Sequence, residues 1–152
     1  MVSSNFEFLR SQHPELADQA AFAERYIWSD PTGAAGKLRN FAELLTRAIY
    51  QRSRLPPPPS TEFAALLTAP AFTARIPEGV RNILHGIRKG GNEAAHGGTV
   101  SSKLALDLSQ GLLARGIVSV EAVVQKQDAP FTPLFCVRAF QYAAAPSARN
   151  PH

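Results

Sequence analysis

Pro56-Pro57-Pro58-Pro59 cuts the chain in two. Proline has no amide hydrogen to donate, and its ring clashes with the preceding helical turn, so neither a helix nor a central strand runs through four of them. Such a run favours an extended polyproline II spacer. It could also serve as a ligand for a proline-binding domain, but a connector is the preferred reading. Regular elements must therefore close before residue 56 and start afresh after residue 59.

On both sides the apolar residues keep a helical period. Pro14 stands at a first helical position, and Leu16, Ala20, Ala23 and Ile27 follow at helical spacing. Asp30-Pro31-Thr32 supplies a cap followed by proline and starts a second helix. Ala34, Leu38, Phe41, Leu45, Ala48 and Ile49 share its face, to about Gln51. Ser60-Thr61 caps a short helix through Leu67, which Pro70 closes. Pro77 opens the next, where Val80, Ile83, Leu84 and Ile87 recur at i, i+3, i+4 and i+7. Gly90-Gly91 reads as an interruption, followed by one more turn over residues 92–96. Ser101 or Ser102 caps a last helix with Leu104, Leu108 and Leu112 inward.

Past Gly116 the pattern changes. Ile117-Val118-Ser119-Val120 alternates like a strand, and from Asp128 no period holds, so about the last dozen residues are expected to be disordered. The expected fold is all-α: a bundle of about four or five helices over residues 4–115, with an irregular tail over 116–152. Its predicted core comprises Phe8, Leu16, Phe22, Ile27, Leu38, Phe41, Leu45, Ile49, Leu66, Val80, Ile83, Leu84, Ile87, Leu104 and Leu108.

Composition limits the function classes. A chain of 152 residues suits one domain and leaves no room for an ATP-driven motor or a two-domain enzyme. Cys136 is the sole cysteine, which excludes an internal disulfide and fits a cytoplasmic location. The apolar stretches fall short of the roughly 20 residues that span a bilayer, so no membrane partner is expected. Glu7 and the lack of a basic start argue against a signal peptide. The net charge of +4 permits a nucleic acid partner. Residues 1–30 hold two basic and five acidic side chains, and residues 31–55 hold five basic and one acidic. The two segments could attract each other, though two solvated faces is the simpler expectation.

Several motifs are excluded on inspection. Gly33-Ala34-Ala35-Gly36-Lys37 lacks the first glycine and the final hydroxyl of a phosphate-binding loop, with Pro31 and Leu38 in those places. Lys37, Lys89, Lys103 and Lys126 have no acid two residues earlier, as a magnesium nuclease core would need. His13, His85, His96 and His152 are scattered, so neither metal nor cofactor is expected. The segment that concentrates chemistry is Arg88-Lys89-Gly90-Gly91-Asn92-Glu93-Ala94-Ala95-His96, with His85 one turn before Arg88. A bend at the glycines would return His96 towards Arg88 or Lys89. Three readings stay open. Arg88 or Lys89 with His96 could cleave RNA without metal; the same groups could hold a phosphate; or Asn92 and His96 could satisfy backbone groups at a helix junction.

Ser4-Asn5-Phe6-Glu7-Phe8-Leu9, Pro14-Glu15-Leu16, Ala23-Glu24-Arg25-Tyr26, Asp30-Pro31 and Lys37-Leu38-Arg39-Asn40-Phe41-Ala42-Glu43-Leu44-Leu45 occur in this order, followed by residues 87–96. Together they resemble the helical domain at the N-terminus of type I restriction endonuclease R subunits and related DEAD/DEAH-box helicases, over about residues 4–110. The resemblance implies kinship with the HEPN helical superfamily, whose nuclease members carry Arg-x(4–6)-His. Here seven residues separate Arg88 from His96, and Lys89 has the spacing but not the planar guanidinium fork. It also implies a non-catalytic module for assembly or nucleic-acid contact, with Lys37, Arg39, Arg47, Arg88, Lys89, Asn92 and His96 as contact residues. Restriction-enzyme subunits and a second copy of the chain are the implied protein partners. A metal-independent ribonuclease using His96 with Arg88 or Lys89 is the alternative. From Gly116 onward the match stops, as in a truncated or frame-shifted relative that lacks the motor and nuclease.

Overall fold

Prolines set the helix starts. The computed structural model describes residues 1–112, and Pro14, Pro31 and Pro70 each open a helix there. The elements are α1 (Pro14–Tyr26), α2 (Pro31–Arg52), α3 (Phe63–Thr68), α4 (Pro70–Arg75), α5 (Glu78–Ala95) and α6 (Ser102–Gly111). All are helical, which places the described residues in the all-α class. Six helices replace the expected four or five because Pro70 begins α4 rather than merely ending α3. A proline at the first helical position loses no intrahelical bond, so it can start a helix one residue after another stops. The strand-like 117–120 segment and the tail over 116–152 lie outside the described residues.

The longest helix, α2, occupies the centre and packs against α1 on one side and α5 on the other. The Asp30 carboxylate caps it, accepting from the Gly33 amide at 2.9 Å. Leu38, Phe41 and Ile49 are buried along it, and Tyr50 near its end stacks on Phe72 of α4 at 5.6 Å. The Tyr50 hydroxyl donates to the Leu66 carbonyl at 2.5 Å, tying α2 to α3. The acidic and basic segments do not pair across the α1–α2 hairpin. Their ion pairs stay within each segment, as in Arg10 with Glu7 and Asp18, and Glu43 with Arg39 and Arg47.

The N-terminal residues form a hook held by two carboxylates. Glu24 of α1 accepts from Ser3 Oγ, from the Ser4 and Asn5 amides and from Asn5 Nδ2, at 2.7–3.1 Å. Ser3 Oγ accepts from the Phe6 amide while Glu7 accepts from the Ser3 amide, a reciprocal pair of bonds that closes the turn. This geometry drives Phe6, not Phe8, into the core, where its ring lies 5.3 Å from Phe41. Phe8 stays half-buried at the rim, as does Phe22.

The chain leaves α2 through a left-handed residue. Arg54 has φ of 49°, the Leu55 amide bonds the Tyr50 carbonyl and the Arg54 amide bonds that of Gln51. This is a Schellman cap, whose left-handed position normally takes glycine. The end of α5 does so: Gly97 has φ of +82° and the Gly98 amide reaches the Glu93 carbonyl. Arg54→Gly is therefore expected to raise stability by about 0.5–1 kcal/mol, since the side chain's penalty exceeds glycine's extra unfolded-state entropy. Urea unfolding of the variant beside the parent checks the sign.

Gly90-Gly91 does not interrupt α5, which runs unbroken from Glu78 to Ala95. The two glycines are contact points for neighbouring helices. A β-carbon on Gly91 would stand 2.4 Å from Arg39 Cβ of α2, and one on Gly86 would stand 3.3 Å from a Leu108 methyl of α6. Gly86 and Gly90 form a notch that receives Leu108, and Gly111 of α6 rests on Ile83. This close approach turns α6 so that Ala105, Leu106, Ser109 and Leu112 point inward. Leu104, expected in the core, is 41% exposed, and Leu108 is half-buried.

Candidate nucleic-acid interface

Because α5 is continuous, its residues fall on fixed sectors at about 100° per residue. Val80, Leu84, Ile87 and Gly91 make the buried sector against the core. Ile83, Gly86 and Gly90 make the flank that meets α6. Arg81, His85, Arg88, Lys89 and Asn92 fall together on the opposite flank, within about 100°, with Glu78 of the first turn in the same sector, and His96 at the cap continues the row. At about 1.5 Å per residue the row is about 22 Å long.

The groups along this flank differ in exposure. Lys89 and His96 are exposed, whereas Arg81, His85, Arg88 and Asn92 are half-buried. Arg81 Nε donates to the Ile76 carbonyl at 3.0 Å, which anchors its stem. Arg88 Nε is buried without a hydrogen-bond partner, a donor whose desolvation is uncompensated within the described residues. Asn92 Oδ1 accepts from Arg39 Nε at 2.9 Å, so α2 adjoins the C-terminal end of the row.

His85 sits amid the cations. Burial lowers its pKa first, and repulsion from Arg88, Lys89 and Arg81 adds to it. The unfolded chain therefore takes up this proton at a higher pH than the folded one does. As pH falls below about 6.5, the ordinary value, stability is lost until the folded group protonates as well. Thermal melts are expected to show this decline, and His85→Gln to flatten it. An unchanged profile in the variant would assign the decline to another group.

Of the residues singled out from sequence, the fold brings Arg88, Lys89, Asn92 and His96 onto one flank, with Arg39 beside them. Arg39 is already engaged by Glu43 at 3.3 Å and by Asn92, and its guanidinium lies over the Phe63 ring. Arg47 is not part of the row: it bonds Glu43 at 2.9 Å and the Thr61 carbonyl at 3.0 Å. Lys37 faces α1, with its ammonium 4.6 Å from the Phe22 ring centroid. The expectation that His96 folds back towards Arg88 is corrected. Eight residues on a continuous helix put their backbones about 12 Å apart along its axis.

Arg81 was not singled out from sequence, and His85 was noted only beside Arg88. The signal that joins them, basic or imidazole groups at 81, 85, 88, 89 and 96, becomes visible once the helix is carried through the glycines. Among the described residues no group of three His, Cys, Asp or Glu side chains could hold a metal ion. No helix there is long and apolar enough to cross a membrane. No family model, curated protein or solved structure matches the chain.

Proposed function

We propose that this chain is a non-catalytic helical module, akin to the front domain of a restriction enzyme R subunit, that holds nucleic-acid phosphates along the flank of α5 that does not meet α6. The observation that carries the reading is the row itself. Arg81, Arg88 and Lys89 surround His85, and no carboxylate is among the groups that influence it. By contrast two cations of α2 share a counter-charge: Glu43 pairs with both Arg39 and Arg47, which offsets one of their two positive charges. Assembly with restriction-enzyme subunits or with a second copy belongs to the same proposal, as does a role in DNA restriction and defence. Both rest on the sequence resemblance.

Three lysine or arginine contacts should give a plot of log affinity against log salt with a slope of about −2.7 on duplex DNA. Removing two of them in Arg88→Ala/Lys89→Ala should bring the slope to about −0.9, with circular dichroism confirming the fold. Fluorescence anisotropy of a labelled duplex measures both. A slope unaffected by the double substitution would remove α5 from the contact. RNA cleavage that persists in EDTA and vanishes in His96→Ala would replace this reading with the ribonuclease one.

A further inference from the structure

We propose that the run Pro56–Pro59, besides joining α2 to α3, is a docking ligand for a partner protein that carries an aromatic-lined groove with an acidic rim. Its shape, exposure and anchoring point this way, and none of them depends on the α5 interface.

Sterics set the shape. Each proline ring fixes its own φ at about −65°, and each pushes the residue before it to extended backbone. Leu55, Pro56, Pro57 and Pro58 all precede a proline, so the segment follows the polyproline II path, with about three residues per turn. Exposure keeps that period. Leu55 and Pro58 are half-buried, whereas Pro56, Pro57, Pro59 and Ser60 are exposed. One edge of the three-sided helix therefore lies on the bundle, where Leu55 packs against the core. The other two edges face solvent, and Pro56 and Pro59 share one of them. Aromatic-lined grooves take this pattern, two prolines at i and i+3 on a preformed polyproline II helix.

Both ends of the segment are held. The Leu55 amide bonds the Tyr50 carbonyl at 3.0 Å, and Arg47 of α2 donates to the Thr61 carbonyl at 3.0 Å. The ligand is thus ordered before a partner arrives, which removes much of the entropy that a flexible segment gives up on binding. Linking two helices does not by itself need this build, since residues 53–62 exceed the roughly 2–8 residues that usually join packed helices. Charge gives the ligand a direction. Arg52 and Arg54 are exposed at its N-terminal end, and Glu62 is exposed beyond the other. Carboxylates at the matching end of the groove would steer the approach and fix its orientation.

The test titrates the full chain into two isotope-labelled probes, an SH3 domain and a WW domain, each with an aromatic groove of this kind. NMR is expected to show saturable shifts at the groove residues of at least one probe. Pro56→Ala/Pro59→Ala should weaken that binding by about tenfold, and Pro58→Ala, on the edge against the bundle, by less than about threefold. Arg54→Ala should weaken it by about two- to fivefold at low salt, an effect that high salt removes. Circular dichroism melts check that each variant folds, and the exposed Arg54 keeps the test decisive if a proline variant does not. No groove shifts with either probe would overturn the proposal. Equal losses in Pro56→Ala/Pro59→Ala and Pro58→Ala would overturn it too, as would binding indifferent to both Arg54 and salt.

Discussion

Gly91→Ala is expected to destabilise the chain by about 2–3 kcal/mol, while Gly90→Ala at the adjacent position is expected to be neutral or mildly stabilising. The added methyl at 91 would meet Arg39 at 2.4 Å from Cβ, 2.6 Å from Cδ and 2.9 Å from Cγ. The stem can swing away, but the Cβ is fixed to the α2 backbone. Relief therefore requires α2 and α5 to separate, and their contact is one of the two largest in the fold. At Gly90 the new methyl would lie 3.5 Å from Leu108 Cδ1, an ordinary contact, and alanine is the better helix former. Gly36→Ala, with nothing within 4 Å, should gain about 0.5–1 kcal/mol and serves as the control. Opposite outcomes at neighbouring positions separate a packed continuous helix from a glycine hinge, where both substitutions would stiffen the same bend. Paired urea melts provide the comparison, and equal losses at 90 and 91 would contradict the continuous helix.

Phe41→Ala is expected to cost about 3–5 kcal/mol, the largest single effect. The side chain is 0% exposed near the middle of α2, and Phe6 packs against it at 5.3 Å. Truncation leaves a cavity and also loosens the N-terminal hook, whose only deeply buried ring is Phe6. Total stabilities of about 5–15 kcal/mol make such a loss a large share of the whole. Chemical denaturation should show a greatly lowered midpoint. A cost below about 1 kcal/mol would mean that the α2 centre is not the core.

Helix starts are the best-written part of this sequence. Pro14, Pro31 and Asp30 act through local geometry, and local geometry is visible residue by residue. The core face of α5 is equally plain, since Val80, Leu84 and Ile87 carry the period themselves. Gly90-Gly91 misleads because a glycine pair is a poor helix former in isolation. What keeps it helical is contact with Arg39, 52 residues earlier than Gly91, and with Leu108 on α6. The rotation of α6 has the same origin: small residues at 86 and 90 admit Leu108, and no period within 102–111 contains that information. Within the site, the pairing of charges on α2 is legible in the sequence. Arg39, Glu43 and Arg47 stand at i, i+4 and i+8, and such spacing pairs charges on a helix surface. A break at Gly90-Gly91 scatters Arg81, His85, Arg88 and Lys89 from His96, and only the continuous helix aligns them.

The most direct test of phosphate contact at α5 is the titration of His85 by NMR, with and without a saturating nucleic-acid duplex at low salt. In the free chain its pKa lies below the ordinary value of 6.5. A phosphate brought among Arg81, Arg88 and Lys89 offsets their repulsion with an opposite charge, so the bound value should rise. An imidazole whose titration does not move while the duplex is demonstrably bound would place the contact elsewhere and contradict the proposed interface.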